Sequence, residues 1–208
     1  MFEARKILYQ KLHHQPPKKL IADGCTKAAV SLTLQNNNSS EKSLELLKPL
    51  DLLLMQRAYN DDDPWSGQIS FPGGRFEQND TSMQATAERE TQEEMGFQLQ
   101  ATNFIGQLDD TLGPIISNKK TLHISSFVYL LEEMPTINSN HEVEQIIWVS
   151  LNDLLDPDRR ISFVHPSVDS LTMQGIRLDA LSRDGEALIL WGLTLYLLEH
   201  LFGILELK

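Results

Sequence analysis

Apolar residues along this chain fall in short runs that alternate with polar, turn-forming stretches. Six of these runs are rich in leucine, isoleucine, valine and aromatic residues, which is typical of β-strands. They lie at 28–34, 50–56, 68–71, 104–108, 122–131 and 145–151. Two weaker runs, at 160–164 and 175–181, fit either a strand or a loop. The pattern therefore predicts a β-sheet drawn from most of the chain.

Two longer segments follow a helical pattern instead. One covers about 80–95, where Asp80 or Thr81 is suited to cap the start and Gly96 stands where a helix ends. The other covers about 185–203. Strands on both sides of one helix, followed by a second helix, predict an α/β fold with a mixed β-sheet and helices packed on it.

The most apolar segment is 187–198, which ends where Glu199 and His200 interrupt it. Its twelve residues are too few for a membrane-spanning helix, which needs roughly 20. We expect the segment to be a helix buried in the core or in a subunit interface, so a homodimer stays open. No association with a membrane is predicted.

The first residues of the chain suggest an N-terminal arm over about 1–24, attached to one domain that spans 1–208. They lack the apolar centre of a secretory signal and hold five basic side chains against one acidic side chain. The single cysteine, Cys25, permits no intrachain disulfide and no cysteine-based zinc site. These features together predict a cytoplasmic protein.

Charge narrows the function further. The formal net charge is −11 over 208 residues, and a nucleic-acid-binding protein would normally show a basic face. Nine of the acidic residues lie within 60–100, where only Arg75 and Arg89 oppose them. One explanation is a solvated acidic surface. The other is a site for a divalent cation, because Mg²⁺ prefers carboxylate oxygens.

Three glutamates in this region are spaced so that they share one face of the predicted helix. Glu90, Glu93 and Glu94 stand at i, i+3 and i+4. Gly73 and Gly74 precede the helix in an expected turn, and glycines let the backbone approach a ligand closely. A carbonyl with two or three carboxylates is a suitable partial shell for Mg²⁺. This position favours the metal site over a solvated helix face.

The segment GRFEQNDTSMQATAERETQEEMGF, about 74–97, resembles the signature of the Nudix hydrolases. That signature reads glycine, five residues, glutamate, seven residues, and then Arg-Glu-apolar-x-Glu-Glu-x-Gly-apolar. Gly74 and most of 89–97 match it. The first half departs, because Asp80 replaces the early glutamate and one extra residue follows it. Thr91 also replaces an apolar residue.

The resemblance implies a Nudix-type α/β/α sandwich and an enzyme that hydrolyses a diphosphate linked to another moiety, using Mg²⁺ or Mn²⁺. The residues that would hold the metal are Glu90, Glu93, Glu94 and the carbonyl of Gly74. Arg89 would orient the glutamates. Glu93 would act as a ligand or as the base that deprotonates water. In relatives the base sometimes comes from a later loop, which makes Glu142 or Glu144 a second candidate.

The preceding segment, LLMQRAYNDDDPWSGQISFPGG at 53–74, resembles a second motif. In Nudix coenzyme A diphosphatases this motif comes just before the signature, which is called the box below. Arg57 and the run 71–74 are among its matches. The residues expected to contact substrate are Arg57, Gly73 and Gly74. The second arginine of the motif is missing. Three aspartates at 61–63 occupy its place, where they would repel a phosphate.

Three functions remain in competition. The first is a diphosphatase of coenzyme A or an acyl-coenzyme A, and the second is a Nudix hydrolase of another substrate, such as ADP-ribose. The third is a Nudix-fold binding or regulatory module without turnover. The missing arginine keeps the second open, whereas the intact glutamates argue against the third. The first two predict a small nucleotide-type substrate, and none of them requires nucleic acid.

Overall fold

The computed structural model describes residues 2–20, 24–36, 47, 49–61, 63, 65–115, 121–164 and 171–207. The strands are β1 Thr26–Asn36, β2 Leu50–Arg57, β3 Ile69–Ser70, β4 Gly73–Arg75, β5 Phe104–Gln107, β6 Thr111–Ile115, β7 Thr121–Leu131, β8 Val143–Ser150, β9 Arg160–Val164, β10 Thr172–Leu181 and β11 Ala187–Trp191. The helices are α1 Phe2–Leu12, α2 Met83–Met95, α3 Leu151–Leu155 and α4 Gly192–Leu205. Every strand expected from the apolar runs is present.

Eight of the strands form one mixed sheet. Its main path runs β3, β2, β1, β7 and β5, while β4 pairs with β1, β6 with β7, and β8 with β2. The long strands β1 and β7 run parallel, whereas β2 pairs antiparallel with both β1 and β8. The strands β9, β10 and β11 form a second, antiparallel sheet.

Helices cover both faces of the main sheet, as the alternation of side chains along β7 shows. Val128 and Leu130 belong to an apolar cluster that includes residues of α1, α4, β10 and β11. Phe127 and Tyr129, which point to the other face, share a cluster with Ala87 of α2. The expected α/β fold with a mixed sheet between helices is confirmed.

The N-terminal segment, for which a surface helix or arm was expected, forms a helix that contributes to the core. Residues 2–12 form α1, which packs against β5 and α4. Leu8 is fully buried and Leu12 nearly so. Arg5 donates a hydrogen bond to the carbonyl of Thr102. The helix therefore covers apolar surface of the sheet.

The last helix begins later than the expected range of 185–203. Residues 187–191 form β11, in which intermediate and buried positions alternate in the two-residue period of a strand. Gly192 follows with φ 62°, a conformation that favours glycine at the change from strand to helix. Burial was predicted for this segment, and it holds for Leu195, Leu197 and Leu198, whereas Tyr196 is exposed. None of the described helices is long and apolar enough to cross a membrane.

Candidate active site

Helix α2 carries the three glutamates and has defined caps at both ends. Ser82 is the N-cap, in place of the expected Asp80 or Thr81, because its Oγ accepts a hydrogen bond from the N–H of Ala85 at 3.0 Å. Gly96 ends the helix in the left-handed conformation, as expected, with φ 77°. The glutamates therefore project from the C-terminal half of a well-capped helix.

Gly73 and Gly74 lie against this helix, in strand β4 and not in the expected turn. Pairing with β1 holds them in place. A Cβ atom on Gly73 would overlap the carbonyl oxygen of Ala29, and one on Gly74 would overlap the carboxyl group of Glu90. Gly73 also has φ 153°. Only glycine fits at position 73, and a side chain at position 74 would displace the carboxyl group of Glu90, so the backbone runs directly beside the glutamate face.

Glu94 is the most buried of the three glutamates, with 2% of its surface exposed. Its Oε2 accepts a hydrogen bond from the N–H of Gly73 at 2.8 Å. Burial raises the pKa of Glu94 to about 8, although the Gly73 hydrogen bond acts against this. Burial also raises the pKa of Glu90, and the charges of Glu93 and Glu142 raise it further. For Glu94 the charges of Glu90 and Glu142 add to the effect of burial in the same way. Both would be stabilised by a nearby cation.

Arg89 braces the exposed side of the same face. Its guanidinium lies 3.0 Å from a carboxylate oxygen of Glu90 and 3.0 Å from one of Glu93. Its Nε donates to Asp80 at 2.9 Å, and this bond is the main reason why the pKa of Asp80 lies well below its usual range. Arg89 thus contacts two of the three glutamates, and Asp80 anchors Arg89.

The donor set fits a hard divalent cation. Within the described residues, no three histidine, cysteine, aspartate or glutamate side chains already stand as a finished metal site. Glu90 and Glu94 nevertheless offer carboxylate oxygens beside a glycine backbone, and burial raises the pKa of both. Mg²⁺ and Mn²⁺ prefer such oxygen ligands. Because Arg89 holds Glu90, a cation would compete with that ion pair.

Glu142 lies close enough to this face for its charge to raise the pKa of both Glu90 and Glu94. Its loop is fixed at two points: the N–H of Asn140 donates to the carbonyl of Glu94 at 3.2 Å, and the N–H of Ala58 donates to the carbonyl of Glu142 at 2.8 Å. The later loop that sequence reasoning singled out therefore reaches the candidate site.

Arg57 also acts on the site, because its charge lowers the pKa of Glu94 against the effect of burial. Its Nη2 and Nε donate to Oδ2 of Asp63 at 2.6 and 3.0 Å. Oδ1 of the same aspartate accepts from the N–H of Trp65 at 3.0 Å. The aspartate that was expected to repel a phosphate thus holds the arginine that was expected to bind one. Asp62 lies outside the described residues.

Thr91, which departs from the Nudix pattern, is explained by a buried hydrogen bond. Its hydroxyl lies 2.7 Å from that of Ser31 in β1 and donates to the carbonyl of Ala87 at 2.7 Å. The N–H of Ser31 in turn donates to the carbonyl of Pro72 at 2.9 Å. These bonds join α2 to the strand that positions the glycines. The one hint in the sequence was a threonine at a usually apolar position.

A family model described as the NUDIX domain matches residues 28–167. The protein belongs to the NUDIX family. This Nudix chain is 41% identical over 113 residues to an uncharacterized protein of Schizosaccharomyces pombe. The matched region covers 51% of this chain but only 34% of that relative. It is 27% identical over 215 residues to a probable nudix hydrolase of the same yeast, with 90% and 71% covered. The chain thus spans about a third of one relative and most of the other.

The fold agrees with a solved structure as well. A MutT/nudix family protein from Enterococcus faecalis superposes with a TM-score of 0.57 at 18% identity, over 92% of this chain and 65% of that one. The fold therefore agrees with membership of the Nudix family, and the 27% identical yeast relative is described as a probable nudix hydrolase. Nudix hydrolases generally use divalent metals, whereas the choice between Mg²⁺ and Mn²⁺ stays a prediction.

Proposed function

We propose that this Nudix protein hydrolyses the diphosphate bond of coenzyme A or of an acyl-coenzyme A. The observation that carries the proposal is the position of Arg57, which belongs to the coenzyme A diphosphatase-like segment 53–74 and acts electrostatically on Glu94. A phosphate bound by Arg57 would lie next to the glutamate face. The segment resembling a substrate motif and the box resembling a metal motif therefore meet at one place.

The proposed metal ligands are Glu90, Glu93, Glu94 and the carbonyl of Gly74. A bound divalent cation neutralises phosphate charge and lowers the pKa of the attacking water. The chain's own part is to hold the carboxylates in position. Gly73 does so for Glu94 through its N–H, and Arg89 does so for Glu93 through its guanidinium.

Two residues compete for the role of general base. Glu93 is bound to Arg89 at 3.0 Å, which favours a fixed ligand or an oriented carboxylate over a proton acceptor. Glu142 makes no ion pair within the described part of the chain, and its charge reaches both Glu90 and Glu94. We therefore assign proton abstraction to Glu142. Glu144, the other candidate, lies in strand β8 and not in the loop.

The pairing of Arg57 with Asp63 favours one alternative substrate class. With its charge met at 2.6 Å by a carboxylate, Arg57 binds an added phosphate less strongly. The missing second arginine of the motif also keeps ADP-ribose, which has no third phosphate, open as a substrate. A module without turnover is the weaker alternative, because the complete glutamate set would then have no use.

The test is a substrate panel with Mg²⁺ and, separately, Mn²⁺. Coenzyme A, acetyl-coenzyme A, dephospho-coenzyme A and ADP-ribose are incubated with the protein, and the released nucleoside phosphates are separated and quantified. We expect cleavage of the coenzyme A compounds, abolished by a chelator and by Glu94→Gln. Cleavage of ADP-ribose alone would replace the first substrate by the second. If the protein binds metal but cleaves none of the four compounds, a binding module without turnover would be the remaining function.

A further inference from the structure

The hairpin between β10 and β11 brings one more arginine to the region of Arg57. Gln145 donates to the carbonyl of Leu181 at 2.8 Å, which ties the end of β10 to β8 of the main sheet. The N–H of Ser182 donates to the carbonyl of Glu186 at 2.8 Å and closes the turn. In that turn the guanidinium carbon of Arg183 lies 3.7 Å from the centre of the Tyr59 ring. The contact is a cation–π stack.

Tyr59 is itself held in place. Its hydroxyl accepts a hydrogen bond from the amide of Gln56 at 3.1 Å, and the same amide donates to the carbonyl of Gly67 at 3.1 Å. Gly67 has φ 70°, and a Cβ atom there would come within 2.8 Å of the Tyr59 ring. The ring is therefore a rigid support, and Arg183 rests on it at a defined place. A guanidinium oriented in this way loses less rotamer freedom when it binds an anion.

In the part of the chain that the structure describes, the charge of Arg183 is not met by a carboxylate, in contrast to the charges of Arg57 and Arg89. Arg57 is bound to Asp63 and Arg89 to Asp80. Arg183 is exposed and forms no ion pair within the described residues. The substrate is a polyanion and the chain carries a net charge of −11. An unpaired guanidinium on a rigid support at this place is suited to bind a phosphate.

Alternation along β2 places this guanidinium away from the bond to be cleaved. Leu53 and Met55 face Met95 of α2, and Arg57 follows them in the same two-residue period. Gln56 points to the opposite side of the sheet, and Tyr59 is bonded to Gln56. Arg183 therefore stands across the end of β2 from the glutamates. A ligand that reaches both must extend around this end of the sheet.

We propose that Arg183, supported by Tyr59, is a specificity-determining residue that binds a phosphomonoester on the nucleoside part of the substrate. The proposal rests on the proposed function, in which the diphosphate lies at the glutamate face. In coenzyme A the corresponding group is the 3′-phosphate. A guanidinium offers two parallel N–H donors to such a phosphate. Arg183 would thereby supply the phosphate contact of the missing second arginine, whose place in the motif is taken by the aspartates at 61–63.

The experiment compares Arg183→Ala with Arg183→Lys and with Arg177→Ala, a matched control on an exposed arginine of the same hairpin. Rates are measured on coenzyme A and on dephospho-coenzyme A with metal present. We expect Arg183→Ala to raise KM for coenzyme A roughly tenfold with little change in kcat, as the loss of one charge-assisted contact implies. Dephospho-coenzyme A should be unaffected, Arg183→Lys intermediate, and Arg177→Ala like the parent.

A binding measurement separates this proposal from the proposed function. Adenosine 3′,5′-bisphosphate is titrated calorimetrically into Glu94→Gln protein, with and without Arg183→Ala. Weaker binding in the double variant supports the role of Arg183 even if the parent cleaves neither coenzyme A compound, which would sink only the proposed function. Equal KM changes for the two compounds, or unchanged binding of the bisphosphate, would overturn the assignment of Arg183.

Discussion

The box segment 74–97 and the preceding segment 53–74 differ in how their charged side chains are paired. In the box, Arg89 holds the exposed carboxylate of Glu93, and the N–H of Gly73, just before the box, holds the buried carboxyl group of Glu94. In the preceding segment, the ion pair between Asp63 and Arg57 already neutralises the charge of the arginine. On the proposed function, the first arrangement suits a cation and the second weakens the binding of an anion. The proposal therefore assigns the reaction and the choice of substrate to different parts of the chain.

The largest effect is expected from the box. Glu94→Gln removes a buried negative charge from the proposed metal site while keeping the shape of the side chain. We expect kcat to fall by about a hundredfold or more, with the cooperative thermal unfolding of the protein retained. Steady-state rates at saturating substrate and a melting curve provide the two readouts. Full activity in this variant would remove Glu94 from the site.

A second effect concerns stability in the metal-free protein. Because burial raises the pKa of Glu94 to about 8, the native state keeps its proton at pH values where the unfolded chain has lost it. Stability from this group is then present below the ordinary pKa of a glutamate and is lost as the pH rises towards 8. We expect a loss of about 2–4 kcal/mol between pH 5 and pH 8.

Urea unfolding at several pH values, in the presence of a chelator, measures this loss. The control is Glu94→Gln, whose stability should change less over the same range because the titrating group is gone. Saturating Mg²⁺ should restore the stability of the parent protein at pH 8 but should not raise that of the variant. A parent that is as stable at pH 8 as at pH 5 without metal would contradict the proposed burial of this charge.

The preceding segment offers a smaller effect of opposite sign. Asp63→Asn removes the charge that binds Arg57 and leaves the side chain nearly the same size. We expect kcat/KM for coenzyme A to rise roughly tenfold, since a freed guanidinium gains a charge-assisted bond to phosphate. Asp61→Asn, at an exposed position of the same segment, is the matched control. If kcat/KM rises equally in both variants, the gain comes from the lower negative charge of the segment and not from the release of Arg57.

The smallest effect is expected where the two segments are joined through β1. Thr91→Val and Ser31→Ala each remove one hydroxyl from a buried pair, and each should lower the free energy of unfolding by about 1–2 kcal/mol. The double variant should lose less than the sum, because neither hydroxyl is then left without its partner. Strict additivity in chemical unfolding would show that the 2.7 Å contact contributes no coupling.

The sequence predicted the strands and the glutamate face because these depend on local period. The prediction from sequence failed where one local pattern fits both a helix and a strand. Residues 187–191 are apolar enough for a helix or a strand, and only pairing with β10 decides for the strand. It also failed for partners distant along the chain, such as Thr91 with Ser31 and Arg183 with Tyr59. Such pairs leave no periodic trace in a single sequence.

The packing of α1 against α4 has a consequence for how the protein is made. The two helices belong to one apolar cluster, and Thr194 of α4 donates to the carbonyl of Ile69 at 2.9 Å, just before the glycines of the site. On a ribosome, the segment 28–167 emerges before the helix that covers it. The apolar face of that segment stays uncovered until α4 has been made, and β3 receives its hydrogen bond from Thr194 only then.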